Sequence, residues 1–223
     1  MNDQEIQRDL FKKELNVSCE TMKKFDLFLA LLLESQQKFN LIGKGTLNKV
    51  WVRHFLDSGG LIKVLKSEIK KKSYSKKTIT ALDIGSGAGF PGIVLSILLK
   101  NEFKIEITLV ESNSKKFFFL EKIKKALDLK IEIINSRAEN LKNKKFDFIF
   151  ARAVAPLNKL FQISKKLINK NIVLIFFKGK TWSSEIEIIK KKWNFNYFVV
   201  KNKQDISNSG GVILVFKQIR KIL

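Results

Sequence analysis

Asp83-Ile84-Gly85-Ser86-Gly87-Ala88-Gly89-Phe90-Pro91-Gly92 holds four of the chain's eleven glycines, directly behind the apolar run from Ile79. A buried strand entering such a loop brings bare backbone close to a ligand, and a following helix adds unpaired N–H donors. Pro91 suits the first turn of that helix, where its missing N–H is not needed. The chemistry on offer is the holding of an adenosine cofactor. Taken from Gly85, the spacing is an acid, one residue, then Gly-x-Gly-x-Gly, the S-adenosylmethionine loop of Rossmann-like proteins. Taken from Gly87, Gly-Ala-Gly-Phe-Pro-Gly fits the dinucleotide pattern G-x-G-x-x-G and a nicotinamide cofactor. The first register sets Asp83 at the strand's mouth, facing a cationic methionine end. The second leaves it inside a central strand, where an unpaired charge is costly. The first register is preferred, with Asp83, Gly85, Gly87 and Gly89 as cofactor-binding residues. Glu111 ends the next apolar run, about twenty residues on, where an acid accepts hydrogen bonds from ribose hydroxyls of either cofactor.

Arginine is rare here: five, against 38 lysines. Three of the five sit at junctions. Arg53 lies in Val52-Arg53-His54-Phe55-Leu56-Asp57-Ser58, Arg137 follows the third predicted strand, and Arg152 ends the fourth. A guanidinium is a planar fork for carboxylate, phosphate or guanine O6 that lysine does not reproduce. His54, the only histidine, is either an acid–base group or a satisfied helix residue.

These residues need a scaffold. Residues 4–15 read as an amphipathic helix, and Ser18 caps a longer one carrying Met22, Phe25, Phe28, Leu29, Leu32 and Leu33 at helical spacing. Thr46 is expected to cap a third. Lys63 to Lys77 is a lysine-rich helix end and linker, which divides the chain into a helical extension (1–77) and a cofactor domain (78–223). Beyond it strands are predicted at 79–84, 105–110, 131–135, 146–151, 172–177, 195–200 and 211–217. Helices are predicted at 91–100, 114–127, 156–168 and 182–192. Continuous apolar strands alternating with helices specify an α/β fold, a mostly parallel, doubly wound sheet. The last two strands lack a helix between them and are expected to form an antiparallel edge hairpin. The run Phe117-Phe118-Phe119-Leu120 is expected to be core.

The formal net charge is +22, and it is uneven. Residues 1–40 hold six basic and seven acidic side chains, whereas residues 41–223 hold 37 and 14. A body this basic suits a polyanion, and nucleic acid is the expected partner. No stretch approaches a membrane span and no apolar leader opens the chain, so a cytoplasmic protein is expected. Cys19 stands alone, which leaves no disulfide framework and no Cys cluster for a metal.

The segment Ala151-Arg152-Ala153-Val154-Ala155-Pro156 lacks the Asn/Asp-Pro-Pro-aromatic turn that serves methylation of an exocyclic amine. Cys19 lies in the N-terminal helices, away from any C5-pyrimidine chemistry. A base nitrogen with its own lone pair, such as guanine N7, requires neither, and catalysis there reduces to positioning and electrostatics.

Phe39-Asn40-Leu41, Val52 to Ser58, Asp83 to Ile93, Ser136-Arg137-Ala138-Glu139, Arg152-Ala153 and Lys178-Gly179 together resemble the RsmG (GidB) family of bacterial small-subunit rRNA guanine-N7 methyltransferases. The resemblance covers about residues 20–216. It implies a Rossmann-like S-adenosylmethionine-dependent methyltransferase behind a helical extension, acting on a guanine in the decoding-region loop of 16S rRNA. It further implies that Gly85 and Phe90 line the cofactor pocket, that Ala138 and Glu139 flank the adenine, and that Arg152 sits beside the methyl-transfer site. Arg152 and Arg137 are then the candidate catalytic groups, and Arg53, Lys178 and Lys180 the candidate RNA contacts. A monomer suffices. A rival from another class is an RNA-binding ribosome assembly factor with a vestigial cofactor pocket.

Overall fold

The computed structural model describes residues 3–71, 78–100, 102–141, 144–201 and 211–222. Helix α1 (Asp3–Glu14) and helix α2 (Cys19–Gln36) open the fold. Ser18 caps α2 through its hydroxyl, which accepts from Thr21 N at 3.1 Å. Arg8 forks onto Asp26 with two 2.6 Å bonds and ties the two helices together.

The third helix departs from expectation. Residues Lys44–Lys49 form a 3₁₀ turn, Trp51–Leu56 a π turn, and Asp57–Gly59 a single α turn, α3. Thr46 is inside the 3₁₀ turn and caps nothing; its hydroxyl donates to Gly43 O at 2.7 Å. The widened π turn brings Trp51, Val52, Phe55 and Leu56 inward together. Helix α4 (Leu61–Lys71) follows, and the rest of the expected linker, residues 72–77, lies outside the described residues.

Seven strands make one sheet: β1 (Ile79–Ile84), β2 (Ile105–Glu111), β3 (Glu132–Asn135), β4 (Phe148–Arg152), β5 (Val173–Lys178), β6 (Trp193–Lys201) and β7 (Val212–Lys221). Their order is β3-β2-β1-β4-β5-β7-β6. The first five are parallel, and β7 runs antiparallel between β5 and β6, the expected edge hairpin. The strand order reverses between β1 and β4, so the ligand crevice of an open sheet falls at their carboxyl ends.

The period-2 alternation of a strand sorts the core onto two faces. Ala81, Leu109, Phe148, Phe150, Ile175 and Val215 point to the face covered by the extension, by α5 (Gly92–Leu99) and by α6 (Ser114–Ala126). Leu82, Val110, Ile149, Leu174 and Phe216 point to the face covered by α7 (Leu157–Ser164) and α8 (Trp182–Lys190). The extension shares the first core without a break, from Phe11 through Phe55 to Val215. The phenylalanine run divides: Phe119 and Leu120 are core, but Phe118 is 68% exposed, because its position on α6 faces away from the sheet. Among the described residues no helix is long and apolar enough to cross a membrane.

Candidate active site

The glycine loop leaves β1 at Gly85, whose φ of 63° is in the left-handed region and whose added Cβ would stand 2.9 Å from Val154 Cγ2. Beneath the loop lies Asp83, and here the structure corrects the sequence reading. Asp83 is not at the strand's mouth. The ladder runs one residue further, Ile84 pairing with both Val110 and Ala151, so Asp83 is inside the sheet and fully buried. Its Oδ2 accepts from Gly92 N at 2.9 Å, at the start of α5, while Oδ1 has no partner. A side chain at Gly92 would meet that same Oδ2 at 2.7 Å, so the last glycine of the motif is the one the acid requires. Burial pushes the Asp83 carboxyl up to about 7, against the Gly92 N–H that favours its charge.

Glu111, at the end of β2, is also buried. Its Oε2 accepts from Gly87 N at 2.9 Å and its Oε1 from Asn113 N at 2.7 Å. The acid thus shapes the loop, and each oxygen keeps further acceptor capacity for a ribose hydroxyl.

Two hollows meet at Gly85. One is lined by Gly85, Ser112, Arg137, Ala138 and Glu139 among others. The other is lined by Gly85, Gly87, Phe90, His54, Arg53 and Arg152 among others. The pair forms a continuous recess, with Ala138 and Glu139 on one side of Gly85 and the loop backbone on the other. Gly89 is buried behind the loop, where its backbone N–H donates to Ser86 O at 2.7 Å. The structure does not bring the two candidate catalytic arginines together: Arg137 belongs to the first hollow, Arg152 to the second.

Arg152 joins the sheet to the extension. Its guanidinium donates to Arg53 O, lies 3.1 Å from His54 Nδ1 and reaches Asp57 Oδ2 at 3.4 Å, with the ring of Phe177 5.6 Å away. Burial lowers its pKa, and Asp57 works in the opposite direction. His54 Nε2 lies 2.8 Å from Thr46 Oγ1. Because an arginine only donates, His54 Nδ1 is the acceptor and its proton sits on Nε2. Burial, then the charges of Arg152 and Arg53, push His54 down to about 3. The histidine is a neutral spacer at physiological pH. Immediately after Arg152, Ala153 adopts a φ of 55°, a left-handed alanine at the site that sequence reading missed.

A third hollow, of about 280 Å³, shares Arg53, Arg152 and Ala153 with the second and extends to Phe177, Lys178 and Gly179. Lys178 is not a surface cation: its ammonium is 2.8 Å from Glu185 and donates to Ala155 O at 3.1 Å. It fastens the loop after β4 to α8. Lys180, two residues on, is exposed.

The chain is 36% identical to ribosomal RNA small subunit methyltransferase G of Mycoplasma capricolum, over 93% of this chain and 87% of that one. It is 38% identical to the protein of the same name from Orientia tsutsugamushi, over 90% and 93%. Among solved structures, a mutant of MtNAS in complex with S-adenosylmethionine superposes with a TM-score of 0.56 at 17% identity, over 93% of this chain and 82% of that one. That likeness establishes the fold. The family model described as rRNA small subunit methyltransferase G (GidB) matches residues 21–211, and the chain belongs to that family of small-subunit rRNA methyltransferases.

Proposed function

We propose that this chain transfers the methyl group of S-adenosylmethionine to N7 of a guanine in the decoding-region loop of 16S rRNA, working as a cytoplasmic monomer. Bound across the hollows that meet at Gly85, the cofactor supplies a methyl on a sulfonium sulfur. An N7 lone pair would take that methyl, the C–S bonding pair staying on sulfur and the positive charge passing to guanine. The protein's work is to hold and orient. Gly85, Gly87 and Phe90 shape the methionine side, and Glu111 supports the loop and takes the ribose. Ala138 and Glu139 flank the adenine, with Arg137 beside them, and Arg152 stands at the transfer site.

The observation that carries the N7 reading is the group at the end of β4. Arg152 stands there, held by Arg53, His54 and Asp57, and an arginine accepts no proton. Guanine N7 has no proton to give up. Arg53 and Lys180 are the proposed RNA contacts, while Lys178, paired with Glu185, holds the loop after β4. The proposed division is a helical extension over 1–77 and a methyltransferase domain over 78–223.

The test is transfer of labelled methyl to small subunits from a strain lacking this modification, followed by borohydride–aniline cleavage, which cuts at N7-methylguanine. One cut in the decoding-region loop is the expected result. Label without that cut discards N7, and no label on subunits or naked rRNA favours the assembly-factor reading instead.

A further inference from the structure

Phe118 is out of place on its helix. Among the described residues it is the most exposed large hydrophobic side chain, at 68%. The buried line of α6 runs through Phe119, Leu120 and Ile123, and a step of about 100° per residue sets Phe118 on the opposite side. Lys115, Lys122 and Lys125, three, four and seven positions away, share that side. We propose that Phe118 is a stacking platform for an unpaired base of the rRNA substrate, a few nucleotides from the one methylated, and that the lysines around it take the adjoining phosphates. The inference rests on rRNA as the substrate, and not on the choice of guanine or of N7.

Exposure by itself points to no ligand, since single apolar side chains are common on protein surfaces. Phe118, however, is held. The ring of Phe117 meets it at 5.3 Å and 64°, edge to face, so a half-buried ring orients an outer one that stays largely open. The surroundings are cationic: α6 carries five lysines and one acid, Glu121. Lys115 and Lys125 are exposed. Lys122 meets Glu34 at 2.9 Å and Lys124 meets Glu121 at 3.9 Å, surface pairs that a phosphate can replace at little cost. The placement also fits. Lys116, in the first turn of α6, lines the hollow that holds Gly85, Phe90 and Arg152. Phe118 stands two residues further, about 3 Å along the helix axis, so a strand leaving that hollow reaches it within a few nucleotides.

The same features choose the kind of partner. A protein interface has an apolar centre depleted of lysine. Apart from Phe117, the positions of α6 that flank Phe118 are Ser114, Lys115, Glu121, Lys122 and Lys125. One ring among ammonium groups matches a nucleotide instead, ring against base and cation against phosphate. Single-stranded segments of RNA are the ones whose bases are free to lie on an aromatic face. Phenylalanine has no hydrogen-bonding group and reads no base edge, so the platform is indifferent to sequence and fixes the path of the strand. It is a binding contact apart from methyl transfer, and its loss falls on KM more than on kcat.

The experiment measures binding of the unaltered protein, Phe118→Ala, Phe118→Leu and Phe118→Trp to small subunits lacking the modification, across a range of salt, with methyl transfer followed on the same particles. Phe118→Ala is expected to bind about 5- to 100-fold more weakly, the range of one base stack. KM should rise by a like factor, with kcat and S-adenosylmethionine affinity within about twofold of the unaltered protein. Phe118→Leu keeps apolar bulk without a π face and should bind as weakly as the alanine variant, whereas Phe118→Trp should restore binding. Lys125→Ala should reduce the salt slope by about one, and Phe118→Ala should leave it unchanged. Undiminished binding by Phe118→Ala overturns the proposal. Full binding by Phe118→Leu also overturns it and makes the ring an apolar contact with a protein of the subunit. So does failure of the unaltered protein to bind either subunits or naked rRNA. The expected binding pattern without any methyl transfer would uphold the platform and refute the enzymatic reading instead.

Discussion

Asp83 ought to make the stability of this protein depend on pH in a direction opposite to that of most carboxylates. Its folded-state pKa of about 7 stands above the ordinary 3.8 because it is wholly buried inside the sheet. In that interval the folded state holds a proton that the unfolded chain has released, so stability declines as pH rises. The contribution is fully present below about pH 4, is lost progressively, and is gone above about pH 7. Each decade is worth about 1.36 kcal/mol, which makes the total about 4 kcal/mol. Asp83→Asn removes the titration but keeps an oxygen for Gly92 N. Urea unfolding followed by the fluorescence of Trp51, Trp182 and Trp193 gives the free energy of each protein from about pH 4 to about pH 8. Taking the difference between the two cancels the carboxylates held low by partners, such as Glu34 beside Lys122 and Glu132 beside Lys144. Relative to the variant, the unaltered protein should lose about 4 kcal/mol across that range. Parallel profiles would refute a buried, ionising Asp83.

Four further outcomes are expected. Gly85→Ala forces a left-handed alanine and a Cβ 2.9 Å from Val154, so thermal unfolding should show a loss of about 1–3 kcal/mol and calorimetry a weakened hold on S-adenosylmethionine. Glu111→Ala takes the acceptor from Gly87 N and Asn113 N, and calorimetry should show at least roughly tenfold weaker cofactor binding; unchanged affinity would remove the ribose assignment. Lys178→Ala should cost about 1–3 kcal/mol in urea unfolding by removing the charge partner of Glu185, which keeps Leu157 N and Thr181 Oγ1. By contrast, Lys180→Ala should leave stability unchanged and reduce the salt slope of rRNA binding by roughly one.

The sheet was legible because its strands are continuous apolar runs, and the predicted boundaries of β1, β2 and β5 differ from the observed ones by a residue at most. Ser18 was legible because a cap is a local device. The segment 44–56 was not. Its turn is set by Trp51 and Phe55 packing inward and by a guanidinium 99 positions away reaching the Arg53 carbonyl, and no local periodicity encodes that. Around the candidate site, spacing gave the positions of Gly85 after β1 and Glu111 at the end of β2 but not the depth of Asp83, which depends on how far β2 and β4 extend the ladder. The pairing of Lys178 with Glu185 was not legible, because a lysine after a strand looks the same whether it meets RNA or a helix. Glu185, seven residues on, was the available signal, since it sits in the first turn of α8. His54 and Asp57 acquire their meaning only through Arg152, from the far half of the sequence.

Phe90, in the glycine loop, stacks on Phe28 at 5.3 Å and meets the ring of Phe55 at 5.2 Å. Synthesis from the amino end makes Phe11, Phe25, Phe28 and Phe55 long before Phe90 and the sheet exist. Before the sheet exists those four rings have Trp51 and one another to pack against, and these mutual contacts let them gather early. The side that later receives Phe90 must wait uncovered until the loop emerges, which makes that interval the one most exposed to misassociation. The newborn chain is guarded by finishing the glycine loop.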